Sequence, residues 1–583
     1  MHIIIIHIAK FIHMLSTNEI KQHLIAQKFI FPTANTYQSF CSESKGFSTY
    51  GPNGLQLKNN IIRLWRQLFI DEKADIYEID TPILLHKQIL TNSGHVAKFT
   101  DPVVTNGKTV HRADHLVENY LHDNNISIDK CVETLQQNEL LELVKKYDMI
   151  EDSSNATIFE KNLMFGTSDF YLRPELAQGI MVEFTDFYKS IGKLPFGLAQ
   201  VGKSYRNEIS PHPFTRLREF TQAEVEYFFD PLDQTSENII NTKLDNMYPP
   251  DTHINDANNS RCVTLKLSNG QEHYIDIYHA LSENIIKHEA IARYILLTFT
   301  FVMKLYLPEK SVRFREHASN ELAHYAMQCW DLEIKLADGK WLECAGVSYR
   351  GCYDLKCHNV TNENRLSKYD KKLKKYKLKI DRLASGDVQK NFYTIFKNKL
   401  FDSHEEIFEN VHYVNYSKSN SVNIIETSIT RESDVFPHVI EPSIGIDRII
   451  YALACNNLSK RSDDEHKIMF RLPYYIAPYE IAVFALSNKP DLVEHTKKLI
   501  NEYLLRFNVY TDFSSVSIGK KYVRSDAIGI RYAITIDFDT VTVDSFTDKL
   551  SNIVTLRDSE NCEQVKQHIC EICNIINNMM NKS

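Results

Sequence analysis

The sequence lacks a membrane-spanning run. Its apolar opening, MHIIIIHIAKFIHML, is too short to cross a bilayer and has neither a basic n-region nor a small-residue cleavage site. It also carries a single lysine, Lys10, where an organellar presequence is Arg-rich. Residues 1–15 are therefore expected to be an N-terminal extension, with no membrane partner. The expected compartment is the cytoplasm, dual targeting to an organelle being the alternative. A disulfide framework is missing too: the eleven cysteines are scattered without paired spacing, which suits a reduced intracellular chain. Cys570 and Cys573 would need two more ligands to hold zinc, and Cys352, Cys357 and His358 cluster far away in sequence, so no structural zinc is expected. Nor is there an excess of positive charge. A formal net charge of -8 excludes a chain whose whole surface grips phosphates, so any RNA contact must use local basic patches.

What is present is enough apolar material, 43% of 583 residues, to bury a sizeable core in two or more domains. From Ser16 a helix is predicted, then a Gly/Pro turn at Tyr50 to Gly54, an amphipathic helix through LKNNIIRLWRQLFI and a short strand at Ile76 to Ile79. Further strands are predicted across Leu194 to Asp230, at Trp341 to Gly346 and at Val439 to Pro442. The polar stretches 115–161, 232–306 and 359–430 read as insertions. The last holds RLSKYDKKLKKYKLKIDRL, a basic run that reads as a solvated helix or loop, or as an arm that tracks phosphates. Beyond Met469 strands and helices alternate, which predicts a separate α/β domain after the polar NNLSKRSDDEHK.

The chemistry concentrates in GLAQVGKSYRNEISPHPFTRLREFTQAEVEYF. Two strand-like runs flank a turn-rich loop with Pro211 and Pro213, the pattern of a hairpin with a long loop. With a period of two, Ser204, Arg206 and Glu208 share one face of the first run, and Arg218, Phe220, Gln222, Glu224 and Glu226 share one face of the second. A guanidinium matches a phosphate, a ring stacks on a base, and carboxylates take amine donors, so this face suits a nucleotide and an ammonium group. A solvated hairpin would show a similar mix.

This segment resembles motif 2 of the class II aminoacyl-tRNA synthetases. EPSIGIDRII is similar to their motif 3, and LKNNIIRLWRQLF through Pro82 to their dimer-forming motif 1. TYGPNGLQLKNNII, SGHVAKFTDPVV with RADHL, YLRPELAQGI, RFREHASNELAHYA, WLECAGVSYRGCYDL and VIEPSIGIDR, in that order, resemble the eukaryotic and archaeal type of glycyl-tRNA synthetase. The resemblance implies an α/β (α+β) fold. A class II catalytic domain built on an antiparallel sheet would cover residues 16–460, and a C-terminal α/β anticodon-binding domain residues 468–583. It also implies ATP-dependent attachment of glycine to tRNA(Gly) through a glycyl-adenylate, Mg²⁺ accompanying ATP, a homodimer, and diadenosine tetraphosphate as a side product.

Carried over position by position, the resemblance assigns Arg206 to the α-phosphate and Glu208, with Asn207 beside it, to the adenine amino group. Phe220 would stack on the adenine, Arg448 would cover its other face and reach the γ-phosphate, and Arg216, with Leu217, would touch the phosphate tail. Glu343, with Cys344 beside it, would face the nucleotide and its Mg²⁺. Arg206 and Arg448 are thus the expected catalytic residues. Glu175, Glu224 and Glu441, with Pro442 and Ser443, would hold the glycine ammonium, and Arg350 is the expected partner of the glycine carboxylate. Lys520, Lys521 and Arg524 would meet tRNA. Four features depart from the family pattern: Leu176, where threonine is usual, a short stretch between Met164 and Tyr171, the differing Val347 to Tyr349 beside Arg350, and Asp447, where eukaryotic members commonly have glycine. The rival readings are a class IIa ligase for proline, threonine or histidine, and a synthetase-like scaffold without catalysis.

Overall fold

The computed structural model describes residues 15–33, 45–231, 261–359, 366–380, 386–401, 422–542 and 552–581, less positions 72, 129, 131, 133, 134, 320, 324, 325, 397, 398, 400, 462 and 463. The extension expected over residues 1–15 lies, except for Leu15, outside them. Pro52 opens helix α1 (Pro52–Arg66), where its missing N–H has no partner to lose and its φ is already helical. Close by, only glycine fits position 54, because a Cβ there would lie 1.9 Å from the Phe29 carbonyl oxygen. The helix buries Leu57, Ile61, Leu64 and Trp65 and leads into strand β1 (Ile76–Glu78).

Strands β2 (Phe196–Tyr205) and β3 (Glu219–Phe229) form the expected hairpin, with Phe220 opposite Ser204 and Glu224 opposite Gln200. They join β4 (Cys262–Lys266), β5 (Glu272–Asp276), β6 (Val312–Glu316), β7 (Gln328–Lys335), β8 (Trp341–Gly351) and β9 (His438–Gly445). Among the described residues these make a nine-stranded sheet in the order β5-β4-β6-β7-β8-β9-β3-β2-β1. Its pairings are antiparallel except β4 with β6 and β1 with β2.

Residues 261–306, read from sequence as part of an insertion, belong to this layer. β4 and β5 extend the sheet, and helix α2 (Glu289–Lys304) is buried from Ile291 to Val302 because it is apolar nearly all round. The polar stretch ahead of them, 232–260, lies outside the described residues and masked their character. The insertion expected at 115–161 starts earlier, at Thr100. Strands Thr100–Thr105, Val110–Arg112 and Thr157–Asn162 pack with helices Ala113–Asp123 and Gln137–Lys146 around their own core of Val104, Val117, Leu140 and Val144.

Residues 359–437 form a second compact unit. Within it the basic run is a strand, Leu366–Ile380, paired antiparallel with Val422–Val435, so the expectation of a helix or loop is corrected. Tyr376, Leu378 and Ile380 alternate with lysines, and that period of two is the signal that would have found it.

The C-terminal region carries β10 (Ile481–Ala485), α3 (Pro490–Tyr503), β11 (Val509–Thr511), α4 (Ile518–Ala527), β12 (Tyr532–Ile536), β13 (Ile553–Asp558), β14 (Gln564–His568) and α5 (Ile569–Asn581). The sheet order is β11-β10-β12-β13-β14, parallel among the first three strands and antiparallel at the closing β13–β14 hairpin. Among the described residues no helix is long and apolar enough to cross a membrane.

Candidate active site

A cavity of about 520 Å³ opens over β3, β8 and β9, and the loop between β2 and β3 contributes to its wall. At the end of β2 the chain stays tied to the start of β3, since Arg206 N donates to Arg218 O at 2.9 Å and Arg218 Nη2 to Glu208 O at 3.0 Å. The Arg206 guanidinium lies between two rings, 5.2 Å from the Phe99 centroid and 5.3 Å from that of Phe220, a cation–π arrangement. Glu208 Oε2 and Gln222 Oε1 are buried with no hydrogen-bond partner among the described residues. Buried polar atoms in native proteins nearly always have one, so water or a ligand is required here.

Arg448 locks the loop from the other side. Its Nε donates to Thr215 O at 3.0 Å, and its Nη1 donates to Glu343 O at 2.9 Å and lies 3.2 Å from Glu343 Oε1. The neighbouring Asp447 accepts from Thr221 N at 2.5 Å and from the Tyr50 hydroxyl, and it lies 3.9 Å from Lys58 Nζ. A glycine could make none of these bonds; the acid here ties α1 to β3.

The carboxylates lie in the same cavity. Glu224 is fully buried; its Oε2 accepts from Leu176 N at 3.0 Å and its Oε1 from Ser443 Oγ at 2.6 Å. What position 176 supplies is a backbone N–H, so leucine keeps that contact. Burial, together with the charges of Glu441 and Glu175, pushes the Glu224 carboxyl up to about 8. Glu175 behaves in the opposite way: burial works against its charge, but His95 and Arg350 outweigh it and hold the carboxyl well below the usual range. Its Oε1 lies 3.3 Å from His95 Nε2 and accepts from Gln178 Nε2 at 3.2 Å. Glu441 accepts from Arg350 Nη1, yet burial still keeps its carboxyl raised.

Residues 165–457 match the family described as tRNA synthetase class II core domain (G, H, P, S and T), and residues 480–579 match the Anticodon binding domain. The glycine–tRNA ligase of Methanocaldococcus jannaschii is 34% identical over 570 residues, covering 90% of this chain and 93% of that protein. That of Methanothermobacter thermautotrophicus is 33% identical over 596 residues, covering 96% and 98%. The chain belongs to the glycine–tRNA ligase family. It is an aminoacyl-tRNA ligase with the class II core and the anticodon-binding domain anticipated from its motifs. The glycine–tRNA ligase of Methanothrix thermoacetophila, 30% identical over 584 residues, spans 95% of each chain.

In this glycine–tRNA ligase family member, Arg206, Glu208, Arg216, Leu217, Phe220 and Arg448 all line the one cavity. So do Glu343, Cys344, Glu175, Glu224, Glu441 and Ser443, although Cys344 is 1% exposed and burial pushes its thiol up, making it a neutral wall. Three expected residues sit elsewhere. Asn207 stands off the cavity and its N–H donates to Leu163 O at 2.6 Å. Pro442 is buried within β9, opposite Val347.

Arg350 requires a correction. It is 1% exposed and lies behind the cavity; Nε donates to Asp354 at 2.8 Å, Nη1 to Glu441, and Nη2 to Asp354 at 3.1 Å and Glu175 at 3.4 Å. With every nitrogen committed to Asp354, Glu441 or Glu175 it has no free face for a substrate carboxylate, and its charge sits among the acidic cluster. Lys521 is also corrected: it is 0% exposed and donates to Ala485 O at 3.1 Å, so it is a core residue of the C-terminal domain. Lys520 and Arg524 are exposed, Arg524 resting on Asp512 at 2.7 Å. His95, Gln178, Asp354 and Phe99 were not anticipated, and nothing in their local pattern separates them from ordinary core and surface residues.

Proposed function

We propose that the chain attaches glycine to tRNA(Gly) through a glycyl-adenylate formed in this cavity. The observation that carries the reading is the pairing of three arginines, Arg206, Arg216 and Arg448, with three buried carboxylates, Glu175, Glu224 and Glu441, around a single space. Phosphates need the first set and an ammonium group the second.

In the first step an oxygen of the glycine carboxylate attacks the α-phosphorus, the bond to the bridging β-phosphate oxygen breaks, and pyrophosphate leaves. Arg206 and Arg448 neutralise the charge of the five-coordinate phosphorus, and the carboxylates orient glycine through its ammonium group. Glu343 offers one carboxylate beside the arginines, a donor that suits Mg²⁺ sharing its shell with phosphate oxygens, and the ion would add to that neutralisation. In the second step the 3′ hydroxyl of the terminal tRNA ribose attacks the carbonyl carbon, loses its proton, and AMP departs. Every competing amino acid is larger than glycine, so exclusion by size replaces editing.

ATP–pyrophosphate exchange with purified protein, run in parallel with glycine, alanine, serine, proline, threonine and histidine, tests this. Exchange with glycine alone is expected. Exchange with another amino acid would move the chain to a different specificity, and none with any would favour a non-catalytic scaffold. The reading extends to a catalytic domain at 16–460, an anticodon-binding domain at 468–583 that meets tRNA through Lys520 and Arg524, and a cytoplasmic location. It also includes a homodimer, supported by the exposed Tyr77, Ile83 and Leu84 that follow α1. A monomer in sedimentation would overturn that last part. Attack of ATP on the adenylate would give diadenosine tetraphosphate; incubation with ATP and glycine that yields none excludes it.

A further inference from the structure

The inserted subunit of structure between Thr100 and Asn162 has its own core, yet two of its residues, Arg112 and His115, reach the wall of the central cavity. Arg112 is fully engaged: Nη1 lies 3.0 Å from Asp101 Oδ2, and Nη2 and Nε donate to Asp114, each at 2.8 Å. Those two acids hold the start of the helix Ala113–Asp123 in place and leave His115 as the group with chemistry to offer. His115 Nε2 lies 3.4 Å from Arg216 Nη2, and its Nδ1 is buried with no partner among the described residues.

We propose that His115 is a further ATP-binding residue: it holds Arg216 before ATP binds and itself donates to the triphosphate tail once Arg216 has turned onto the phosphates. The inference rests on ATP being the ligand of this cavity. An arginine N–H aimed at Nε2 needs the nitrogen lone pair, so the ring is neutral in this state. The surroundings agree. Burial and the charges of Arg112 on the inserted strand, Arg216 on the β2–β3 loop and Arg448 after β9 hold His115 down to about 4, against the opposing pull of Asp114. A polyphosphate reverses that field. With Arg216 withdrawn, the freed lone pair takes a proton from solvent, and the imidazolium N–H then faces a phosphate oxygen, as a charge-assisted bond. AMP, which has no β- or γ-phosphate, draws neither group.

The test compares wild type with His115→Ala and His115→Gln in the full chain, by glycine-dependent ATP–pyrophosphate exchange and by AMP binding. The expected result is a KM for ATP and for pyrophosphate about tenfold higher in both variants, the scale of one charge-assisted hydrogen bond. The KM for glycine and the affinity for AMP should be unchanged, which also reports an intact fold. Wild-type KM for ATP should rise between about pH 6 and 9 and the His115→Gln profile should be flatter, because proton uptake is then lost. A KM for ATP within twofold of wild type, or equal losses for AMP and ATP, overturns the assignment. So does unchanged exchange with a raised KM for tRNA, which would give the inserted element to the acceptor end. Wild-type protein that fails to exchange would instead sink the activation reading itself.

Discussion

Replacing Asp447 by alanine should cost both stability and nucleotide binding. Asp447 is the countercharge of Lys58, 3.9 Å away, and both side chains are less than a tenth exposed. Its loss leaves a buried ammonium with Thr221 Oγ1 at 2.5 Å and the Tyr50 ring, 4.5 Å away, but no countercharge in contact, and it strips an acceptor from Thr221 N and from the Tyr50 hydroxyl. Removing one partner of a buried pair typically costs about 3–5 kcal/mol. The loss has a pH signature. Burial holds Lys58 down to about 8, with Asp447 opposing, whereas an unfolded lysine titrates near about 10.4. Between those values the unfolded chain binds more protons, so stability rises with pH across that window. Without Asp447 the lower edge of the window moves down, so the variant sheds part of its penalty by deprotonating Lys58 while the wild type is still charged. Urea titrations should therefore show a deficit that is largest near about pH 6 and narrower near about pH 9. A deficit below about 1 kcal/mol, or one equal at both pH values, would refute the reasoning. Because Thr221 follows Phe220 on β3, the variant should also show a raised KM for ATP.

Arg350→Met should destabilise the catalytic domain by about 3–5 kcal/mol, leaving Glu175, Asp354 and Glu441 without their shared cation; normal stability with only a raised KM for glycine would restore Arg350 as a substrate ligand. Glu224 has its carboxyl raised to about 8, so it is protonated at low pH and must ionise to hold an ammonium group. The KM for glycine should fall as pH rises toward that value in wild type and lose this dependence in Glu224→Gln, as exchange assays at constant ATP would show. In the C-terminal domain, Lys520→Ala and Arg524→Ala should raise the KM for tRNA in a salt-dependent way with unchanged melting temperature. Lys521→Ala should instead lower the melting temperature, since its Nζ satisfies the Ala485 carbonyl.

Local patterning determined much of this protein. Phe220 and Glu224 share one face of β3 because strand side chains repeat every two residues, whereas Arg206 and Glu208 lie beyond the end of β2 at Tyr205 and are held beside that face by the bonds from Arg206 N to Arg218 O and from Arg218 Nη2 to Glu208 O. The helical spacing of LKNNIIRLWRQLF and the β/α rhythm after Met469 are local in the same sense, and the family strings added the order of the motifs. Tertiary structure decided what depends on distant partners. Arg350 and Lys521, expected to meet the glycine carboxylate and tRNA, are instead enclosed by Asp354 and Glu441 and by the Ala485 carbonyl. The apolar helix at 289–304 becomes a core helix because it packs against β8 and β9, strands that come much later in the chain. His115 reaches the cavity from an insertion whose own packing is self-contained, 101 residues from Arg216. Burial and electrostatic pairing are sums over the whole fold, so the residue types at the site are written in the sequence while their charges, partners and accessibility are set by what folds against them.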